Sequence, residues 1–401
     1  MKIRHQLAAF SPVPLRAVLA GAMRIGGSES LAHDRLVELL RIEYAADEVI
    51  LCGSGTQALQ LAIELASRAA SAKLPVALPA FGCFDLVSAA IGAKAPIVLY
   101  DLDYRTLGPD LASLDRILAA GVRACVVAPL YGIPVPWDAI DGLAVRYGVP
   151  LIEDAAQGQG ASWHHRMIGS IGSSSVISFG RGKGWTGGGG GALLLRGPNT
   201  PGLAMTLPDI PFSGEVKSVL GLVAQWAIGR PQLYGLARAV PALGLGTTVF
   251  HPPHRPEAMS RTASVVARAT RGASQREAGF RRANAVRLLD RLGALPGVIT
   301  FPILRDAEAG FLRLPIRLPA LRTGKPLEIA VRRMGIERSY PFNLAKLPAA
   351  LPWLREEDRK REWIGADTLA GELVTCPTHG LLREDDLDEI VRTVARLSTS
   401  N

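Results

Sequence analysis

The sequence predicts an α/β protein: a mainly parallel seven-stranded sheet sandwiched by helices, followed by a smaller C-terminal α+β domain. Three observations carry that reading. Short apolar runs recur seven times between residues 48 and 196, with helical patterns between them. The runs are continuous rather than alternating, as in strands buried on both faces. And 401 residues, 48% hydrophobic and 20% charged, exclude a disordered chain and suffice for two or three units with cores of their own.

Taken in order, strands are expected at 48–52 (EVILC), 75–78 (PVAL), 96–100 (PIVLY), 124–130 (ACVVAPL), 149–154 (VPLIED), 175–179 (SVISF) and 191–196 (GALLLR). Helical spacing or helix-start residues occupy 56–70, 84–92, 109–119 and 135–147. From 197 to 255 the alternation breaks into an apolar crossover rich in Pro and Gly, with short helices. Helical spacing returns over 260–295 and is strongly basic: within 251–300, nine Arg face only Glu257, Glu277 and Asp290. Most of these arginines are expected on a solvated face, with one or two available for a diphosphate or carboxylate. FLRLPIRL (311–318), GIERSY (335–340) and a final helix near 384–397 complete the second unit. The expected division is 1–255 for the large domain and 256–401 for the small one.

Composition narrows the function. A net charge of +9 over this length is a weak argument for nucleic acid, and small acidic substrates explain it as well. Cys52, Cys83, Cys125 and Cys376 form no CxxC pair, so neither a zinc site nor a disulfide framework is indicated. No export signal is recognised, and the most apolar stretch, 218–229, has 12 residues where a bilayer needs about 20. A cytoplasmic protein is expected.

Parallel sheets bind ligands beyond the carboxyl ends of their strands, so chemistry is sought there. The first candidate is Gly53-Ser54-Gly55-Thr56-Gln57-Ala58, a strand-to-helix turn whose free N–H groups favour an anion. Its letters also fit a dinucleotide fingerprint, but the next strand ends Leu78-Pro79-Ala80-Phe81 without the acid that fingerprint needs. The second is Glu153-Asp154-Ala155-Ala156-Gln157, an acid emerging from a buried strand. It is read either as a helix cap or as the partner of a protonated heterocyclic nitrogen. The third is Ser178-Phe179-Gly180-Arg181-Gly182-Lys183. Lys183 is the only Lys between Lys94 and Lys217, and Lys, unlike Arg, can lose its proton and form an imine. An anion-binding helix start, an acid, a hydroxyl and a lysine are the parts that pyridoxal phosphate asks for.

At this point the sequence resembles the DegT–StrS family of sugar aminotransferases, pyridoxal-phosphate enzymes of fold type I. The ordered segments are SGTQALQLA (54–62), PAFGCFDLVSAAIGAKAPIVLYDLD (79–103), LYGIPVPWDAI (130–140), YGVPLIEDAAQGQGA (147–161), IGSIGSSSVISFGRGKGWTGGGGGALL (168–194) and CPTHGLLREDDL (376–387). The resemblance implies that Lys183 is the catalytic lysine that bonds the cofactor and that Asp154 faces the pyridine nitrogen. It implies that Gln157 contacts the ring, and that Ser178 with Gly55 and Thr56 receives the phosphate. Cys83 falls where the family often has a ring-stacking aromatic, with Phe84 one step away. A glutamate donor, a nucleotide-linked keto sugar as acceptor, a role in amino-sugar or surface-polysaccharide synthesis and a homodimer are likewise implied.

The chain departs from the pattern in two places. Gly188 stands for the usual glutamate of T-G-E-G-G, and His254-Arg255-Pro256-Glu257-Ala258-Met259 lacks the Asn with which a partner subunit reaches the phosphate. The apolar 220–245 segment is expected to cover a dimer surface or, more remotely, to meet a membrane or a lipid-linked substrate. Three alternatives stand beside the leading one. A sugar dehydratase would carry histidine in place of the lysine, and only His164 and His165 are nearby. The other two are a nucleotide-binding oxidoreductase and a non-catalytic protein that keeps the fold.

Overall fold

The computed structural model describes residues 5–23, 30–69, 74–197, 207–238, 248–322 and 327–399. Two helices, α1 (Leu15–Ala22) and α2 (Ser30–Tyr44), precede the sheet. Then follow β1 (Glu48–Cys52), α3 (Gly55–Ala69), β2 (Val76–Pro79), α4 (Asp85–Gly92), β3 (Ile97–Tyr100), α5 (Leu111–Ala119), β4 (Ala124–Val127), α6 (Trp137–Tyr147) and β5 (Leu151–Asp154). A hairpin of β6 (Ser162–Trp163) and β7 (Arg166–Met167) leads to β8 (Ser174–Ser178) and β9 (Gly191–Leu195).

Seven of these strands form one sheet in the order β1-β9-β8-β5-β4-β2-β3. Pairing is parallel from β8 through β5, β4 and β2 to β3, and antiparallel where β9 meets β8 and β1. The parallel strands are buried along nearly their whole length because helices cover both faces. All seven expected strands and the four expected helices are present, with ends moved by up to three residues. The apolar run 124–130 leaves the sheet after Val127 and turns into a short 3-10 helix (Leu130–Gly132) in which Tyr131 has φ +57°.

The crossover holds α7 (Phe212–Ile228) and α8 (Pro231–Arg238); the parts of it at 198–206 and 239–247 lie outside the described residues. α7 explains the departure at Gly188. That glycine has φ +85°, and a Cβ there would lie 3.3 Å from Leu222 of α7, so a longer side chain meets the crossover helix.

The 32-residue α9 (Arg261–Leu292) leads to β10 (Ile299–Thr300), β11 (Ala307–Glu308), β12 (Leu314–Arg317), β13 (Glu337–Arg338), β14 (Leu373–Cys376) and a last helix (Glu384–Thr399). The second sheet is β10-β12-β14-β13, while β11 crosses over to pair with the β6–β7 hairpin. The largest core cluster runs through both units, joining Ile50 and Leu78 of the first sheet to Ile316 and Val374 of the second.

Most of the arginines in 251–300 are exposed or half-buried, and Arg271 and Arg281 of α9 are the two that are buried. Arg271 pairs with Glu43 at 2.7 Å and Arg281 is fully buried. Arg282, Arg287 and Arg291 bridge to Glu308, Glu384 and Asp388. Acids elsewhere in the chain supply the counter-charge that the local sequence lacks. Cys52, Cys125 and Cys376 are buried free thiols and Cys83 is half-buried. Among the described residues there is no cluster of potential metal ligands, and no helix is long and apolar enough to cross a membrane.

Candidate active site

A cavity of about 270 Å³ opens at the carboxyl edge of the parallel strands. Gly55, Thr56, Cys83, Asp154, Gln157, Ser178 and Lys183 all line it. Residues separated by up to 128 positions meet because β5 and β8 are neighbours, β1 lies one strand beyond across β9, and all three end at the same edge.

The end of the cavity at the start of α3 is built from a close approach. Ser54 caps α3, its Oγ accepting from the Gln57 N–H at 3.1 Å, so the remaining N–H groups of the first turn face the cavity. A Cβ on Gly55 would stand 2.8 Å from the Cβ of Ser178 and 3.1 Å from its Oγ. One on Gly191 would stand 2.5 Å from the Gly55 nitrogen. Glycine at both positions lets the helix start, the end of β8 and the start of β9 converge on one hydroxyl. The segment beyond the crossover closes this end: Gly53 N–H donates to the Glu257 carbonyl at 2.9 Å. Gln57 Nε2 donates to the Arg255 carbonyl at 3.3 Å.

At the opposite end stands Asp154. Its Oδ1 accepts from the Ala156 N–H at 3.1 Å. Burial pushes its carboxyl above the usual range, and the charge of Lys183 pulls it back down. A buried acid raised by desolvation calls for a cationic partner, and a protonated ring nitrogen is one. Lys183 sits in a loop whose Gly182 and Gly184 have φ +75° and +81°. The loop is fixed behind it: Gly184 N–H donates to Ser11 Oγ at 3.0 Å, and Trp185 Nε1 donates to the Ala267 carbonyl at 2.7 Å.

Gln157 is held at both ends of its amide. Its Oε1 accepts from the Tyr131 N–H at 2.9 Å, and its Nε2 donates to Tyr340 Oη at 3.0 Å. The Tyr131 hydroxyl in turn contacts Ser339 Oγ. Sequence reasoning gave no site role to Tyr131, Ser339 and Tyr340, although segments 130–140 and 335–340 contain them; they sit behind the wall and hold Gln157 in it.

The two candidates for ring stacking separate. Cys83 is on the wall, and burial pushes its thiol up to about 12. Phe84 is not on that wall: it is 3% exposed and stacks on Phe342 with ring centroids 5.1 Å apart. Its neighbour Asp85 opens α4 and does line the cavity. His164 and His165 lie at the β6–β7 turn, His164 bonding Asp138 at 3.0 Å, and neither lines the cavity that holds Lys183. The oxidoreductase alternative loses ground as well. The glycine turn follows β1, an edge strand of the sheet, whereas a dinucleotide fingerprint follows a central strand at the switch point.

A helix start, a hydroxyl, a buried acid and a lysine on one cavity are a donor set that fits pyridoxal phosphate. Residues 28–214, a little under half of the chain, match the model of the DegT/DnrJ/EryC1/StrS aminotransferase family. The chain is 36% identical over 162 residues to the L-glutamine:2-deoxy-scyllo-inosose aminotransferase of Streptoalloteichus tenebrarius, covering 40% of this chain and 37% of that one. It is 31% identical over 166 residues to the UDP-2-acetamido-2-deoxy-3-oxo-D-glucuronate aminotransferase of Pseudomonas aeruginosa, covering 41% and 44%. The chain thus spans less than half the length of the curated relatives it matches. Its fold is similar to that of the aminotransferase TlmJ of Streptoalloteichus hindustanus over 98% of each chain, with a TM-score of 0.73 at 19% identity.

Proposed function

We propose that this protein is an aminotransferase that moves nitrogen from an α-amino acid to a ketone on a polyhydroxylated ring. The observation that carries the reading is the single cavity lined by Lys183, Asp154, Ser178 and the start of α3. When bound there, pyridoxal phosphate supplies an electron-accepting ring that lets a proton leave the donor's α-carbon. Ser178 Oγ and the N–H groups of Gly55 and Thr56 hold the phosphate. Asp154 keeps the proton on the ring nitrogen. Lys183 Nζ would bond the cofactor's aldehyde carbon and, as a free amine, would take a proton from the donor's α-carbon as a general base and give it back as a general acid. Gln157, its amide fixed by Tyr131 and Tyr340, limits tilt of the ring.

The donor is glutamate or glutamine, and the acceptor is a keto sugar, nucleotide-linked, for amino-sugar or surface-polysaccharide synthesis. Support comes from the relatives' names, which specify a glutamine donor with an inosose in one case and a UDP-linked oxo sugar in the other. The enzyme is expected to act as a homodimer in the cytoplasm. Lys183→Ala should abolish both the visible absorption of the purified holoenzyme and turnover, a loss of at least about 10⁴-fold for a residue that both bonds the cofactor and moves the proton. A wild-type protein that binds pyridoxal phosphate but is not trapped by borohydride overturns the reading. Screening keto-sugar nucleotides against the amine form of the cofactor, with mass spectrometry of the product, identifies the acceptor.

A further inference from the structure

Apolar side chains scattered singly over a surface are ordinary, but a shared patch of them marks a contact. Leu15, Leu19 and Met23 fall four apart along α1 and its C-cap, on one side of the helix, and each is more than half exposed. On α7, Phe212 and Leu220 are more than half exposed and Val223 is 42% exposed. The two helices pack together and on α9 through Ala17, Val18, Leu222 and Val266. Their other sides face solvent, an apolar surface left open among the described residues.

The charges on this surface have one sign. Arg16 on α1, Lys217 on α7 and Arg230 between α7 and α8 are all exposed. The only acid in these three helices is Glu215, which is buried and accepts from the N–H groups of Arg261 and Thr262 at 2.7 and 3.3 Å. An exposed acid, Asp209, lies just before the N-terminal end of α7. The Arg230 guanidinium lies 3.8 Å from the centroid of the Trp226 ring, a cation on an aromatic side chain of the kind that settles at a lipid–water boundary. Where α7 ends, Leu7, Phe10, Ile228 and Tyr234 line a cavity of about 160 Å³ together with Arg181. An apolar hollow beside an arginine suits the chain and the phosphate of a lipid.

A second copy of this chain fits the surface poorly. A two-fold contact sets a patch against itself, so Arg16, Lys217 and Arg230 would approach their own counterparts with no exposed acid on these helices to balance them. An anionic lipid surface offers apolar depth and the opposite charge at once. No helix of the described residues is long and apolar enough to cross a bilayer, so the fit is to the surface.

We propose that the α1–α7 face docks the protein on the surface of a membrane that carries anionic phospholipid. Leu15, Leu19, Phe212 and Leu220 enter the headgroup layer, and the three cations meet lipid phosphates. The net charge of +9 draws the whole chain the same way. The inference stands apart from the aminotransferase reading, since docking needs no turnover.

The test is flotation of the purified holoenzyme with vesicles of phosphatidylcholine alone and of phosphatidylcholine mixed with phosphatidylglycerol. Binding to the mixed vesicles should be at least about tenfold stronger than to the neutral ones, and should weaken as salt is raised. Leu19→Glu combined with Leu220→Glu should cut binding to the mixed vesicles at least about tenfold. The visible band of the lysine-bound cofactor and the sedimentation mass should stay as in the wild type. If that variant fails to fold, Lys217→Glu combined with Arg230→Glu makes the same comparison through charge alone. A protein that stays in solution with both kinds of vesicle overturns the proposal. So does equal binding to neutral and anionic vesicles, which leaves the cations without a role. A leucine variant whose sedimentation mass falls while its vesicle binding holds assigns the face to a second copy, and overturns it too.

Discussion

Glu153 and Asp154 are neighbours at the end of β5, and the two faces of the sheet treat them in opposite ways. Glu153 is fully buried, and its carboxylate accepts from Gly169 N–H at 2.6 Å, Ile171 N–H at 2.9 Å, Gly172 N–H at 3.2 Å and Ser175 Oγ at 2.8 Å. Asp154, one residue on and therefore on the other face, has one backbone hydrogen bond and a lysine within electrostatic reach. A structural acid is saturated by its own fold. Asp154 is left under-satisfied by the protein, and burial raises its carboxyl, which suits an acid that the proposed function reserves for a ligand.

The largest effect on stability should come from the saturated member. Glu153→Ala strands three N–H groups and one hydroxyl in the interior, each unsatisfied group costing about 1–3 kcal/mol. Urea unfolding should show a loss of about 4 kcal/mol or more, with a variant too unstable to purify at the extreme. A loss under about 1 kcal/mol would mean that water reaches this face of the sheet and that the contrast between the two acids is false.

Glu153 was open to misreading, because a sequence of Glu followed by Asp does not say which faces the ligand. Period-two alternation puts them on opposite faces, and only Asp154 lines the cavity. The strands were legible because burial on both faces leaves an unbroken apolar run, and the glycine turn and the loop around Lys183 were legible because local geometry demands their residues. Legibility ended where the partner lies far along the chain. Gln157 is fixed by Tyr340, 183 residues away, and nothing near either residue announces it. The antiparallel pairing of β9 left no local trace either, since its apolar run reads like its parallel neighbours. Cys83 and Phe84 differ by one step at the start of α4, and only the packing of Phe342 decides which side chain turns inward.

Gly55→Ala probes the phosphate end with a smaller effect. The added methyl meets Ser178 at 2.8 Å, and because strand and helix start are both held, the overpacking should cost about 1–3 kcal/mol. The displaced hydroxyl should raise the Kd for free pyridoxal phosphate, read by fluorescence titration, about tenfold or more. A variant that binds the cofactor like the wild type would show that Ser178 and Gly55 are not where the phosphate rests.

Asp154→Asn gives the smallest effect on stability and the sharpest test of the contrast, because its sign reverses with occupancy. Burial raises the Asp154 carboxyl in the cofactor-free protein. Its ionised form is therefore less favourable in the folded state than in the unfolded one at any pH above that raised pKa. This handicap disappears as pH falls and the folded protein takes up the proton. Asn carries no charge to desolvate, so the cofactor-free variant should melt about 2 °C above wild type at neutral pH, with the gap closing in mildly acidic buffer. With pyridoxal phosphate bound the order should invert, since the wild-type carboxylate then has a ring N–H to hold and the amide does not. A cofactor-free variant that melts below wild type at neutral pH would mean that Asp154, like Glu153, is already satisfied by the protein, and the acid would no longer be free to serve a ligand.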